Sequence, residues 1–284
     1  KGENLFEFIV KLLTFLSLLL LVFIVIFIFR ESIVFFKEVP ILKFILGKTW
    51  NPLNSPGELS ILPIVLGTVY VSLIGILIAL PIGVGFAVFL SIYTNEKTRR
   101  FIRGMVDILA GIPSVVYGFI GLLVVVKFLE VKFLFVSGES VLAGGIVLSI
   151  MMLPFIISTC AESMEKIYEE YFQYSNALGV SKSYMIRKII IPESRRSILA
   201  SIVLALGRGM GETMAVMMVI GNAPIMPSLF KKCQTIPSLI ALEMGMAEVG
   251  SLHYHALFSS GFVLMIILII INVLLHFIKK SIDI

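Results

Sequence analysis

Six blocks of this sequence, at about 8–29, 61–93, 102–129, 141–161, 198–220 and 256–278, are apolar over at least 21 residues each. A hydrocarbon core of about 30 Å takes about 20 helical residues to cross. In lipid, backbone N–H and C=O groups must bond to one another, so an isolated apolar block of this length folds as a helix. The expectation is an all-α polytopic membrane protein with six transmembrane helices, one domain over residues 1–284. Composition agrees, since 58% of the chain is hydrophobic and only 14% charged, against about 25% charge in soluble domains. The second block carries Pro63 and Pro81 among several glycines, which predicts a tilt, a kink or a surface segment at its start. The first block is longer than a signal-peptide core and lacks a small-residue cleavage site after it, so it reads as a retained span.

Lysine and arginine set the orientation. With both termini cytoplasmic, 14 of the 23 basic residues fall inside and 8 outside, leaving Arg208 within the membrane. The inner set comprises Lys1, Lys11, Lys97, Arg99, Arg100, Arg103, Lys166, Lys182, Arg187, Lys188, Arg195, Arg196, Lys279 and Lys280. The net charge of +5 is thus mostly a topology signal, and it gives no reason to invoke nucleic acid. Membrane lipid is the expected surround.

Arg208 and Glu212 lie four residues apart inside the fifth block. A charge at bilayer depth costs about 2.5 kcal/mol or more on insertion scales. On a continuous helix the spacing puts both on one face, where they can pair. That face is expected to handle a charged solute: a planar guanidinium fork matches an oxyanion, and a neighbouring carboxylate would let the anion leave again. The alternative is a buried pair that only fixes helix packing. Gly207 and Gly211 form a small-xxx-small face suited to close helix approach. Thr213, Asn222, Thr68, Ser72, Ser114 and Tyr117 offer hydroxyl or amide groups, each equally suited to an interhelical hydrogen bond. Pro113 should break the third block and free backbone N–H groups there. Met210, Met214, Met217 and Met218 read as pliable filler.

The inner loop 162–196 is rich in both charge signs and helical in propensity. A helix is expected to stop at Gly179, a second to start with Ser181 as cap, and Pro192 to mark its end. Two short helices joined at a glycine would form a knob suited to a groove on a partner. In the outer segments, Trp50 serves as an interface anchor or a functional group, Asn54-Ser55-Pro56-Gly57 is a turn, and Ser238 caps a short helix over 236–244. Cys160 and Cys233 fall on opposite sides of the bilayer and cannot pair. His253, His255 and His276 lack metal-ligand spacing, so neither a metal nor another cofactor is expected. No Gly-x4-Gly-Lys-Ser/Thr loop occurs, so the chain should not hydrolyse ATP and is not expected to be an enzyme.

The spacing Gly179, nine residues, Ile189, one residue, Ile191-Pro192 resembles the cytoplasmic loop of ABC-importer permeases, which ends Gly-x9-Ile-x-Leu-Pro. Here Ile191 stands for Leu, and Gln173-Tyr174-Ser175 stands where that family has Glu-Ala-Ala. Trp50-Asn51-Pro52, the segments 67–72, 109–118 and 207–216, Gly221-Asn222 and 250–254 follow in an order that resembles the PstC-type permease of the phosphate-specific ABC importer. The resemblance covers nearly everything from Trp50 onward. It implies the type I ABC importer permease fold in a prokaryotic plasma (inner) membrane. It also implies four kinds of partner: a homologous PstA-type permease, a cytoplasmic PstB-type ATPase dimer, an extracytoplasmic PstS-type binding protein, and phosphate itself. The expected path residues are Arg208, Glu212, Thr213, Asn222, Ser114, Tyr117 and Thr68. Ala177, Leu178, Gly179, Val180, Ser181, Ile189 and Pro192 would couple to the ATPase. Another oxyanion, such as sulfate, molybdate or tungstate, fits the same chemistry. An ion-gradient-driven secondary transporter gives no reason for the structured inner loop, and a non-transporting scaffold leaves Arg208 unexplained unless it is structural.

Overall fold

A computed structural model describes residues 2–52, 54, 57–133 and 137–281, with side chains between residues 5 and 278. Lys1, the side chains of Lys279 and Lys280, and Ser55 and Pro56 of the expected turn lie outside the described residues. In chain order the elements are α1 (Gly2–Glu38), α2 (Ile41–Leu46), β1 (Trp50–Asn51), β2 (Glu58–Leu59) and α3 (Leu62–Tyr93). Then come α4 (Glu96–Gly111), α5 (Ser114–Phe133), α6 (Val141–Ala177) and α7, which opens at Lys182–Met185 and runs on through Ile191–Glu193. The rest are α8 (Arg195–Met210), α9 (Met214–Met217), α10 (Ile236–Glu243) and α11 (Leu252–Ser281). The described residues fall into two compact units, residues 1–62 with 240–266, and residues 63–239 with 267–284.

In the first unit, α1 presents Leu, Ile and Phe side chains outward along most of its length, as a helix facing lipid does. Phe27 and Phe29 meet Phe258 and Phe262 of α11 at ring centroid distances of 5.3 and 5.6 Å. Phe35 and Phe44 are fully buried against each other at 4.7 Å. β1 and β2 form a short antiparallel hairpin that pairs Trp50 with Leu59.

The second unit is built on α6. Its apolar window is 67% buried, more than that of any other long apolar helix described, and Val147, Leu148, Met152 and Ile156 supply the core. Ser140 caps it by accepting from the Ala143 N–H. At 37 residues it is about 55 Å long, well beyond a bilayer core. The fourth apolar block and the first half of the inner loop are therefore one helix, not a span followed by a short loop helix. α3 packs so closely on the segment after α9 that a Cβ at Gly67 would lie 2.3 Å from the Gln234 carbonyl oxygen.

Five of the described helices, α1, α3, α5, α6 and α11, are long and apolar enough to cross a membrane. Two apolar blocks differ from expectation. The third breaks at Pro113 as expected, but its first part is no piece of a span: 96–111 is α4, an amphipathic helix capped by Asn95, and the long apolar helix α5 begins at Ser114. Proline cannot donate the next helical hydrogen bond, and it drives Ile112 into extended backbone. Lys97, Arg99, Arg100 and Arg103 sit on this helix rather than in a loop. The fifth block is also broken, because α8 ends at Met210 and α9 is a single turn. In α10 the cap is Thr235, not Ser238: each hydroxyl accepts the other's backbone N–H, at 3.0 and 3.4 Å, a reciprocal capping box.

Candidate functional site

The run Gly207-Arg208-Gly209-Met210-Gly211 costs helix stability at each glycine, about 1 kcal/mol against alanine. The helix gives way there, and Gly211 turns its N–H back to the Gly209 carbonyl. The break moves Glu212 off the α8 surface. Its Oε1 accepts the Ala215 N–H at 3.2 Å, serving the start of α9. Among the described residues no ion pair joins Arg208 to Glu212, so the pairing expected of an i, i+4 helical spacing does not form.

Arg208 ends α8, where a cation meets the negative end of the helix. It is exposed in this chain, and its guanidinium carbon lies 4.6 Å from the centre of the Phe155 ring on α6. Among the described residues no hydrogen-bond acceptor or carboxylate occupies its N–H groups. A Cβ at Gly207 would meet nothing within 4 Å, and one at Gly211 only carbonyls of its own turn at 3.7 Å. Gly209, by contrast, faces Met152 and Leu148. The glycine that packs within this chain is therefore Gly209, and the Gly207–Gly211 face is left open.

The other expected residues divide into two groups. Tyr117 lies within electrostatic reach of Arg208, and its hydroxyl donates to the Leu109 carbonyl at 2.8 Å across the Pro113 break. Ser114 opens α5, whose first turns pack against α9 at Gly118, Ala215 and Met218. Thr213 donates to Gly211 O at 3.3 Å. These residues lie at the Pro113 break and at the turn between α8 and α9, and of them Tyr117 faces the charge of Arg208. Thr68 is buried, donating to Ile64 O and accepting the Ile236 N–H, both at 2.9 Å. Ser72 is buried one turn on, bonded to Thr68 O. Asn222, at φ 48°, donates from Nδ2 to Met217 O at 2.7 Å, and its Oδ1 is buried without a partner. Thr68 and Asn222 thus serve the packing of the segment between α9 and α10. Met210 is buried, as filler should be, while Met214 is exposed.

At the far end of α6 the helix stops after Ala177, and Gly179 adopts φ +65°, a left-handed conformation that glycine takes without penalty. Ser181 accepts the Tyr184 N–H and starts α7. Ala177 and Gly179 are exposed at this tip, with Leu178 at 78% exposure and Tyr174 and Tyr184 beside them. Met185 and Ile190 are buried and anchor the far side, with Ile189 partly buried. Pro192 lies inside the last turn, and the chain breaks at Ser194 instead.

Several pairings carried no linear signal. Arg99 and Arg103 both bind Glu165 of α6, and Arg99 also donates to the Leu90, Ser91 and Thr94 carbonyls that end α3. Trp50 is buried within the chain. Its indole N–H donates to Glu243, which also meets His253 Nε2 at 2.7 Å. His255 Nδ1 lies 2.8 Å from Glu31. Lys232 bonds Glu139 at 2.6 Å, and this bond holds the Glu139 carboxyl below its ordinary range. Cys160 and Cys233 are both free and buried. Burial pushes the Cys233 thiol up to about 12.

The chain is 35% identical over 240 residues to the probable ABC transporter permease protein YqgH of Bacillus subtilis, covering 84% of this chain and 78% of that one. It is 35% identical over 260 residues to the phosphate transport system permease protein PstC of Mesorhizobium japonicum, covering 84% and 79%. A probable PstC of Methanocaldococcus jannaschii shares 33% over 232 residues, covering 75% and 73%. The fold is that of a type I ABC importer permease, similar to a chain of the MetNI methionine ABC transporter at a TM-score of 0.56 and 19% identity, over 76% of this chain and 91% of that one. Residues 79–283 match the model of a family described as the binding-protein-dependent transport system inner membrane component. This chain, a multi-pass membrane protein, belongs to that family.

Proposed function

We infer that the chain is the transmembrane subunit of an ATP-driven importer of inorganic phosphate. One observation carries the reading: Arg208 presents a guanidinium fork with no acceptor on it among the described residues, beside open glycine faces, in a chain whose relatives include permeases named for phosphate transport. A bidentate guanidinium–phosphate contact is charge-assisted and directional. Tyr117, Ser114, Thr213 and Glu212 line the approach. Glu212 is close enough in sequence to compete for Arg208 once the α8–α9 turn moves, which would release the anion inward.

The subunit works with a homologous permease of the PstA type, a pair of PstB-type ATPases and a PstS-type binding protein. Binding-protein dependence of the family supports the last of these. The exposed tip at Ala177, Leu178 and Gly179, with Val180 and Ser181, docks on the ATPase, and Ile189 and Pro192 stiffen its return. ATP is hydrolysed by that partner and not by this chain. In this reading 162–196 is a coupling loop within one permease domain, α8 and α9 together make a sixth crossing, and both termini are cytoplasmic.

Uptake of labelled phosphate by the reconstituted complex tests the reading. Arg208→Gln should lower it about 10- to 100-fold, the equivalent of losing one charge-assisted contact of about 1.5–3 kcal/mol. Unchanged uptake would remove Arg208 from the path. Equal competition by sulfate, molybdate or tungstate would assign the subunit to another oxyanion.

A further inference from the structure

We propose that Phe155 is a positioning residue for Arg208: its ring holds the guanidinium at the path surface with the N–H groups left free for the anion. The proposal rests on the assignment of Arg208 to the phosphate path. A long arginine side chain near a carboxylate normally settles on it, and Glu212 is the nearest carboxylate in sequence. Here Glu212 instead accepts the Ala215 N–H, and the guanidinium carbon sits 4.6 Å from the Phe155 ring centre. An aromatic face attracts a cation through its quadrupole and accepts none of the N–H groups in the manner of a carboxylate. The charge is thereby fixed in place while its hydrogen-bonding edge stays available.

Phe155 lies between the buried Pro154 and Ile156 on α6, the helix against which α8 packs. Room for an anion lies alongside, since neither Gly207 nor Gly211 faces another part of the chain within 4 Å. A ring contact also has a kinetic merit. It does not compete for the N–H groups during capture, whereas a carboxylate would have to be displaced by every arriving anion.

The test is phosphate transport by the whole importer complex in proteoliposomes, with KM and kcat measured for Phe155→Leu, Phe155→Met, Phe155→Trp and Arg208→Gln. Removing the ring should raise the phosphate KM about two- to fivefold with kcat kept, because Arg208 then spends time away from the path. Phe155→Trp should restore the wild-type KM, which a volume or packing effect would not do. Loss of transport in Arg208→Gln together with an unchanged KM in Phe155→Leu and Phe155→Met overturns the role of the ring but leaves Arg208 on the path. A fall in kcat at constant KM, a KM rise that tryptophan does not reverse, or failure of both aliphatic variants to assemble makes Phe155 a packing residue and overturns the proposal. Normal transport in Arg208→Gln removes the path assignment itself.

Discussion

Trp50 donates its indole N–H to the Glu243 carboxylate at 3.0 Å, across 193 residues of sequence. The bond ties the β hairpin to the end of α10, and His253 completes the cluster from α11. Trp50→Phe keeps the ring and removes the donor. Leaving a largely buried carboxylate short of one partner should cost about 1–3 kcal/mol, read as a lower melting temperature of the purified protein in detergent. An unchanged melting temperature would mean that the hairpin is held by its apolar contacts alone.

Glu165 neutralises two arginines from α4 at once. Arg99 is only 15% exposed in its side chain, so removing its counter-charge leaves a nearly buried cation. The three carbonyls at the end of α3 still hold it. Glu165→Ala should therefore destabilise by about 3 kcal/mol, at the low end for a broken buried pair, while Glu165→Asp should recover part of the loss. Thermal unfolding of the two variants side by side gives the answer.

Lys232 lowers the pKa of Glu139 in the folded chain. A depressed carboxylate pKa adds stability above the unfolded carboxylate value, and that stability disappears as pH falls through the lower, folded value. Wild-type protein should thus keep local protection of residues 219–233 into mild acid. Lys232→Met should lose that increment in full at neutral pH, and its difference from the wild type should shrink as pH falls through the folded value of Glu139. Amide exchange of that segment against pH checks the sign.

Gly67 has backbone against it: any side chain meets the Gln234 carbonyl oxygen at 2.3 Å and the Cys233 Cβ at 3.7 Å. A carbonyl in a packed segment cannot swing aside as a side-chain tip can, so Gly67→Ala should cost about 1–3 kcal/mol. Cys233 reports on it directly. Its thiol is buried and pushed up to about 12, so it should resist maleimide at pH 8 in the wild type and become reactive in Gly67→Ala. Equal labelling of the two proteins would show that the segment accommodates the methyl group.

What the amino-acid sequence revealed was mostly local. The stop at Gly179 and the cap at Ser181 depend on one glycine's backbone and one hydroxyl three residues from its donor, so they are readable from the spacing alone. α4 merges with the third apolar block in the sequence because Phe101, Met105 and Ile108 form an exposed apolar stripe beside Ile102, Val106 and Leu109. For Arg208 the spacing points to Glu212 as partner, whereas the structure places the Phe155 ring against it. An i, i+4 rule assumes unbroken helix, and three glycines in five residues remove that condition. Phe155 and the Glu165 clamp come from elements far apart in the chain, and no periodicity within one element could reveal them.

α6 is a single rod of 37 residues, and its clamp divides it unequally. From Glu165 to the tip at Ala177 is about 18 Å, and from Glu165 back to Val141 about 36 Å, at 1.5 Å per residue. Were α6 to tilt about this clamp, the arms on either side would stand in a ratio of about one to two. Phe155 rides on the long arm, about 15 Å from the pivot. A tilt that moves the exposed tip by a given distance therefore carries the ring beneath Arg208 almost as far, in the opposite direction. Arg99 and Arg103 on Glu165 thus set where along α6 such a tilt would turn, between the exposed tip and the ring.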